Sequence, residues 1–135
     1  MRTLFLLFAF VLTGELAAQT IQNKNYSTTG YIKPDGTIQD KNYRTVGYIK
    51  PDGRIQNAQY STIGYIKPNG TIQNNQYATV GYVKPNGTVQ DKNYATLGYV
   101  KSDGTVQNKQ YATIGYAKGI DVYWAAVAFF FFDFS

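Results

Sequence analysis

The feature that most constrains this chain is a 17-residue period repeated six times. The copies begin at Ile21, Ile38, Ile55, Ile72, Val89 and Val106. The second reads IQDKNYRTVGYIKPDGR and the fourth IQNNQYATVGYVKPNGT. A strict short period means one small supersecondary unit that cannot bury its apolar face alone and must stack on its neighbours. The sixth copy breaks where Lys118-Gly119-Ile120-Asp121-Val122 replaces the K-P-D-G-T of the others. An atypical terminal unit is the expected end of such an array.

Each copy carries two turn signals. One is Lys33-Pro34-Asp35-Gly36-Thr37 and its equivalents. Pro presets φ, Asp or Asn suits the next position, and Gly takes the left-handed one. This predicts a three-residue hairpin loop with a G1 bulge. The other is the polar cluster Asp40-Lys41-Asn42-Tyr43. Between them lie a short strand, Thr37 to Gln39, and a longer one, about Arg44 to Lys50. Turns at this spacing, with no helical periodicity, predict an all-β fold.

Side-chain parity adds a constraint. A one-residue slip inverts a strand, and 17 is odd. The first hairpin pairs Ile49 with Ile55 and keeps parity, so the second must have an even loop or an added bulge. An even loop pairs Gln39 with Arg44 and Ile38 with Thr45. One face then holds Ile32, Ile38, Thr45, Gly47 and Ile49, and the other Tyr31, Lys33, Gln39, Val46 and Tyr48.

The reading is an antiparallel β-meander of six double-strand units, forming a single-layer or curled open sheet. The alternative is a parallel β-solenoid. A solenoid would stack Lys33, Lys50, Lys67, Lys84, Lys101 and Lys118 about 4.8 Å apart. A meander separates them to about 9.6 Å, near the screening length at physiological salt. The lysines and the two hairpin signals favour the meander.

Outside the array lie two apolar segments. Arg2, the run Leu4 to Leu12, and small Ala17 and Ala18 have the anatomy of an export signal, expected over residues 1–18. The repeat domain follows over 21–119, then a C-terminal segment over 120–135. Its run VYWAAVAFFFF is too short for a transmembrane helix, which needs about 20 residues. It is expected to cover the aliphatic stripe as a final strand or short helix, with membrane or partner contact as the alternative. An outer-membrane barrel is disfavoured because the strands are short and polar groups occupy both faces.

With no Cys and no His, thiol nucleophiles and imidazole acid–base catalysis are excluded. Asp35, Asp40, Asp52, Asp91 and Asp103 occupy turn positions, and Asn69 or Asn86 replaces Asp in equivalent units. Such exchange fits turn chemistry, not an acid pair or a calcium site, which needs several oxygen ligands. The expectation is no enzyme, no cofactor and no metal.

Two tyrosine series run through the array: Tyr31, Tyr48, Tyr65, Tyr82, Tyr99 and Tyr116, and Tyr26, Tyr43, Tyr60, Tyr77, Tyr94 and Tyr111. The first is the candidate ligand face, because Tyr offers an apolar ring and a polar tip. A structural ladder is the competing reading. The net charge of +5 favours anionic surfaces mildly. Expected partners are a glycan or an envelope component, with no nucleic acid, and self-association through sheet edges or the C-terminal segment. The expected role is a structural or interaction protein of the cell envelope or exterior. The alternatives are a carbohydrate- or peptidoglycan-binding module or a fibre subunit.

The core Gly30-Tyr31-Ile32-Lys33-Pro34-Asp35-Gly36-Thr37-Ile38 resembles WG-type bacterial repeats and, more distantly, MORN repeats. With Trp124-Ala125-Ala126 and Phe129 to Phe132 included, the chain is similar to secreted bacterial proteins with tandem GYIK-DG-I repeats. That resemblance implies an exported β-meander and carries over no functional residues.

Overall fold

A computed structural model describes residues 18–134. Residues 1–17 of the expected export segment lie outside the described residues. Twelve strands follow one another: β1 (Gln19–Asn23), β2 (Thr28–Ile32), β3 (Thr37–Asp40), β4 (Thr45–Ile49), β5 (Arg54–Asn57), β6 (Thr62–Ile66), β7 (Thr71–Asn74), β8 (Thr79–Val83), β9 (Thr88–Asp91), β10 (Thr96–Val100), β11 (Thr105–Asn108) and β12 (Thr113–Tyr116). Each pairs with its sequence neighbours, and β12 pairs with β1, closing a barrel. The pairing is antiparallel throughout, so the meander is right and the solenoid is not.

Closure corrects the expectation of an open sheet. At the seam Tyr116 lies opposite Gln22 and Gly115 opposite Asn23. Within the array Tyr99 lies opposite Gln107 and Gly98 opposite Asn108. β1 therefore acts as the first strand of a seventh copy. Closure pairs the backbone groups that an open sheet would leave at its edges. It also removes the lateral edges through which self-association was expected.

Both turns of the first five units are three-residue loops, and the sixth keeps only the polar one. The Gly36 amide donates to the Lys33 carbonyl at 2.9 Å, and the Tyr43 amide to the Asp40 carbonyl at 3.0 Å. Gly36 has φ 92° and Tyr43 φ 68°. Parity is restored by a bulge: Gln39 faces Thr45 and Ile38 faces Gly47, leaving Val46 as the extra residue. The expected pairing of Gln39 with Arg44 and Ile38 with Thr45 does not form. The reason is that Tyr43 takes the left-handed position, so the loop stays odd and the strand absorbs the extra residue. Thr45 consequently joins Gln39 on the outer face, and Val46 packs against the core.

The inner face carries Ile32, Ile38, Ile49, Ile55, Ile72, Val83, Val89, Val100 and Val106, all buried. A wall of this many strands is wider than its own side chains can fill. The C-terminal segment fills it. Asp121 caps helix α1 (Val122–Ala126), its Oδ1 accepting from the amides of Tyr123 at 2.8 Å and Trp124 at 3.2 Å. A π-helical turn, Val127–Phe131, continues directly. Ala125, Ala126 and Val127 are fully buried.

Beyond them the phenylalanines fan out onto the wall in reverse repeat order. Phe129 meets Gly115, Phe130 Gly98, Phe131 Gly81, Phe132 Gly64 and Phe134 Gly47. A Cβ on Gly115 would sit 2.6 Å from the Phe129 ring, and one on Gly98 2.7 Å from the Phe130 ring. Only glycine lets the rings reach the strand backbone. Successive residues must address successive units, a smaller angular step than the 100° of an α-helix. The wider i→i+5 winding moves toward that step, and the Phe132 amide donates to the Val127 carbonyl at 3.1 Å accordingly.

Candidate functional site: a belt of stacked tyrosines

The outer surface is organised by the polar turn. Asp40 Oδ1 accepts from the amides of Asn42 at 2.8 Å and Arg44 at 3.0 Å. These bonds, the Arg44 amide first, hold the Asp40 carboxyl below its ordinary range. Asn57, Asn74 and Asn108 tie the equivalent turns in the same way. Gln39 Nε2 donates to the Tyr43 carbonyl at 3.2 Å. The turn is thus fixed on both sides of the tyrosine.

So fixed, Tyr43 lays its ring on Tyr31 of the neighbouring strand, with centroids 4.7 Å apart and planes 13° from parallel. The two hydroxyls are 3.1 Å apart. Four further pairs repeat the arrangement: Tyr48–Tyr60, Tyr65–Tyr77, Tyr82–Tyr94 and Tyr99–Tyr111. The sixth, Tyr26–Tyr116, stacks at 4.4 Å across the seam and links β12 to the turn after β1. Hydrogen bonding to the partner hydroxyl, with a smaller contribution from desolvation, raises the phenol of Tyr31, Tyr48, Tyr65, Tyr82, Tyr99 and Tyr116 above its ordinary pKa.

The two series divide the work. Tyr31, Tyr48, Tyr65, Tyr82, Tyr99 and Tyr116, the face singled out in the sequence, are the half-buried inner members. Their partners Tyr26, Tyr43, Tyr60, Tyr77, Tyr94 and Tyr111 are 63–66% exposed. Sequence reasoning pointed to the first series as the ligand face and missed that the second stacks outside it. The signal was present in the flanking residues, since Tyr43 sits among turn residues and Tyr48 between apolar strand residues. Lys50 Nζ lies 5.8 Å from the Tyr48 ring centre, within cation–π range.

The carboxylates keep to turns. Asp35, Asp52 and Asp103 accept from the amides of Thr37, Arg54 and Thr105. Asn69 and Asn86 do the same. Among the described residues no three metal-binding side chains come together. What the surface offers chemically is a ring of flat apolar faces beside amides and lysines.

A family model described as the 5-fold beta-flower protein matches residues 18–133. The chain belongs to this family. The match supports tandem β-hairpin repeats but not kinship with WG or MORN repeats, which share only the short G-Y-I core. Here the β-flower wall has six double-strand units around the phenylalanine fan. No curated protein and no solved structure matches the chain.

Proposed function

We propose that this β-flower is an exported, non-catalytic interaction protein of the cell envelope or exterior, and that its tyrosine belt engages envelope carbohydrate. The observation that carries the reading is the state of the outer tyrosines. All of Tyr26, Tyr43, Tyr60, Tyr77, Tyr94 and Tyr111 have φ of 66–69° and are more than half exposed. A non-glycine residue at such φ costs roughly 1–2 kcal/mol. Six strained, exposed aromatics in one ring are better explained by recognition than by folding.

An open Tyr ring suits the C–H face of a sugar, and its hydroxyl, with nearby Gln, Asn and Lys, suits the sugar's edges. Repetition around the barrel allows weak contacts to sum on a polymeric glycan. The apolar run Leu4 to Leu12 behind Arg2 supports export.

The test is retention on insoluble peptidoglycan and on a polysaccharide panel. The comparison is wild type against a variant carrying Tyr43→Gly, Tyr60→Gly and Tyr77→Gly. Glycine suits the backbone there, so the fold should persist, and circular dichroism checks that it does. Wild type should be retained and the variant released. If wild type binds no glycan, or the variant binds equally, the carbohydrate reading fails. Fractionation of the native cell tests export separately.

A further inference from the structure

We propose that the wall seat at Gly30 is a binding site for the aromatic ring of a small-molecule ligand. The wall contains six equivalent glycines, and five hold a phenyl ring: Gly47, Gly64, Gly81, Gly98 and Gly115. The nearest atoms to a Cβ at Gly30 belong instead to the backbone of Gln39 and Asp40, at 2.7 Å and beyond, and no ring is among them. Phe132 has φ −134° and ψ 140°. From there the tail is extended, so alternate side chains point to opposite sides. Phe132 and Phe134 take the Gly64 and Gly47 seats, while Asp133 between them is exposed. No phenylalanine of the described tail faces Gly30.

A cleft of about 610 Å³ opens at this seat, walled by Ile21, Ile38, Val46 and the edges of the phenylalanine fan. That volume lies in the range of small-molecule sites. The wall is also trimmed here. The bulge residue in the other units is Val46, Ile63, Val80, Leu97 or Ile114, whereas this unit has Thr29. The Thr29 hydroxyl donates to the Ile21 carbonyl at 3.3 Å. Asp40 and Gln39 also line the cleft.

The occupant's chemistry is read from the five filled seats. Each accepts a flat six-membered ring against a bare glycine backbone. A cavity of about 150 Å³ already suffices for benzene, so this one admits a fused bicycle or a substituted ring. The ligand class is a neutral one- or two-ring aromatic carrying a hydrogen-bond donor. This site is separate from the tyrosine belt, and either can fail without the other.

The experiment titrates the exported chain with indole, followed by NMR, with cyclohexanol as the non-aromatic control. Indole should saturate one site and give cross-relaxation to the Gly30 α-protons and the Ile38 methyls; cyclohexanol should bind more weakly. Thr29→Trp fills the cleft and should weaken indole by about tenfold or more, equivalent to about 1.4 kcal/mol. Thr29→Val, which copies the residue at Val46 and Val80, should leave affinity within about twofold. Should Thr29→Trp fail to fold, the cross-relaxation in wild type decides alone. The proposal is overturned by absence of saturable binding, by contacts elsewhere, or by unchanged binding in folded Thr29→Trp. It is also overturned if sedimentation shows a dimer that Thr29→Trp dissociates, since the seat then belongs to a second copy.

Discussion

In the first five units the two turns have the same hydrogen bonds and nearly the same backbone path, yet one ends in glycine and the other in tyrosine. Gly36, Gly53, Gly70, Gly87 and Gly104 have φ of 90–94°; the tyrosines have 66–69°. At Gly53 a Cβ would run into the Ile66 carbonyl oxygen, because the next strand passes close behind. Tyr43 meets no such obstacle, and its side chain leaves outward onto Tyr31. The glycine turn is chosen by space. The tyrosine turn has space for a side chain, accepts the strain, and places a ring on the surface in return. The difference teaches where to look for function: at the position whose residue is worse for the backbone than the alternative used next door.

That contrast can be broken most strongly at Gly53. Replacing Gly53 by Ala should destabilise the barrel by about 3 kcal/mol, from positive φ and the blocked carbonyl together, read as a lower denaturant midpoint. Alkaline pH should come next and act on the tyrosine turns. The inner phenols have pKa values raised above 10.0 by their partners' hydroxyls. Their contribution is therefore complete below pH 10 and is lost as pH rises through the folded values. Tyr48→Phe should flatten that alkaline limb of the unfolding curve. Acid does not discriminate the turns. Asp35, Asp52 and Asp103 in one and Asp40 in the other all lie below 3.8, chiefly through backbone amides. Their contribution is present above that value and lost as pH falls through the folded ones.

Tyr60→Gly should change stability by less than about 1 kcal/mol, because relief of the left-handed strain offsets a lost ring pair of similar size. A larger loss would show that stacking, not display, maintains the tyrosine. The smallest effect belongs to Asp52→Asn, within about 0.5 kcal/mol. Asn69 already serves the equivalent turn, and the Arg54–Asp52 contact at 2.9 Å is at the surface.

Much of the wall was legible in the residues. Pro51-Asp52-Gly53 specifies its own loop, and the alternation from Ile49 to Ile55 specifies the inner face. The odd period required either an even loop or a bulge. The sequence could not choose between them, because tyrosine is not a residue that announces a left-handed turn. From that single ambiguity came the misplaced Thr45 and Val46. The candidate face was half legible: the Tyr31 series does lie outside, but its stacking under the Tyr43 series depends on the turn conformation. Gly47 was placed on the inner face, yet nothing near it in the chain points to Phe134.

The sequence alone determined the unit, its two turns, its antiparallel strands and its aliphatic inner stripe, since each depends on residues within one 17-residue copy. The tertiary structure decided the rest: that β12 reaches β1, that the tail threads the barrel, and that one glycine seat meets no ring among the described residues. These depend on twist accumulated over the whole wall and on how many seats the tail can reach. Neither quantity is stored in any single copy.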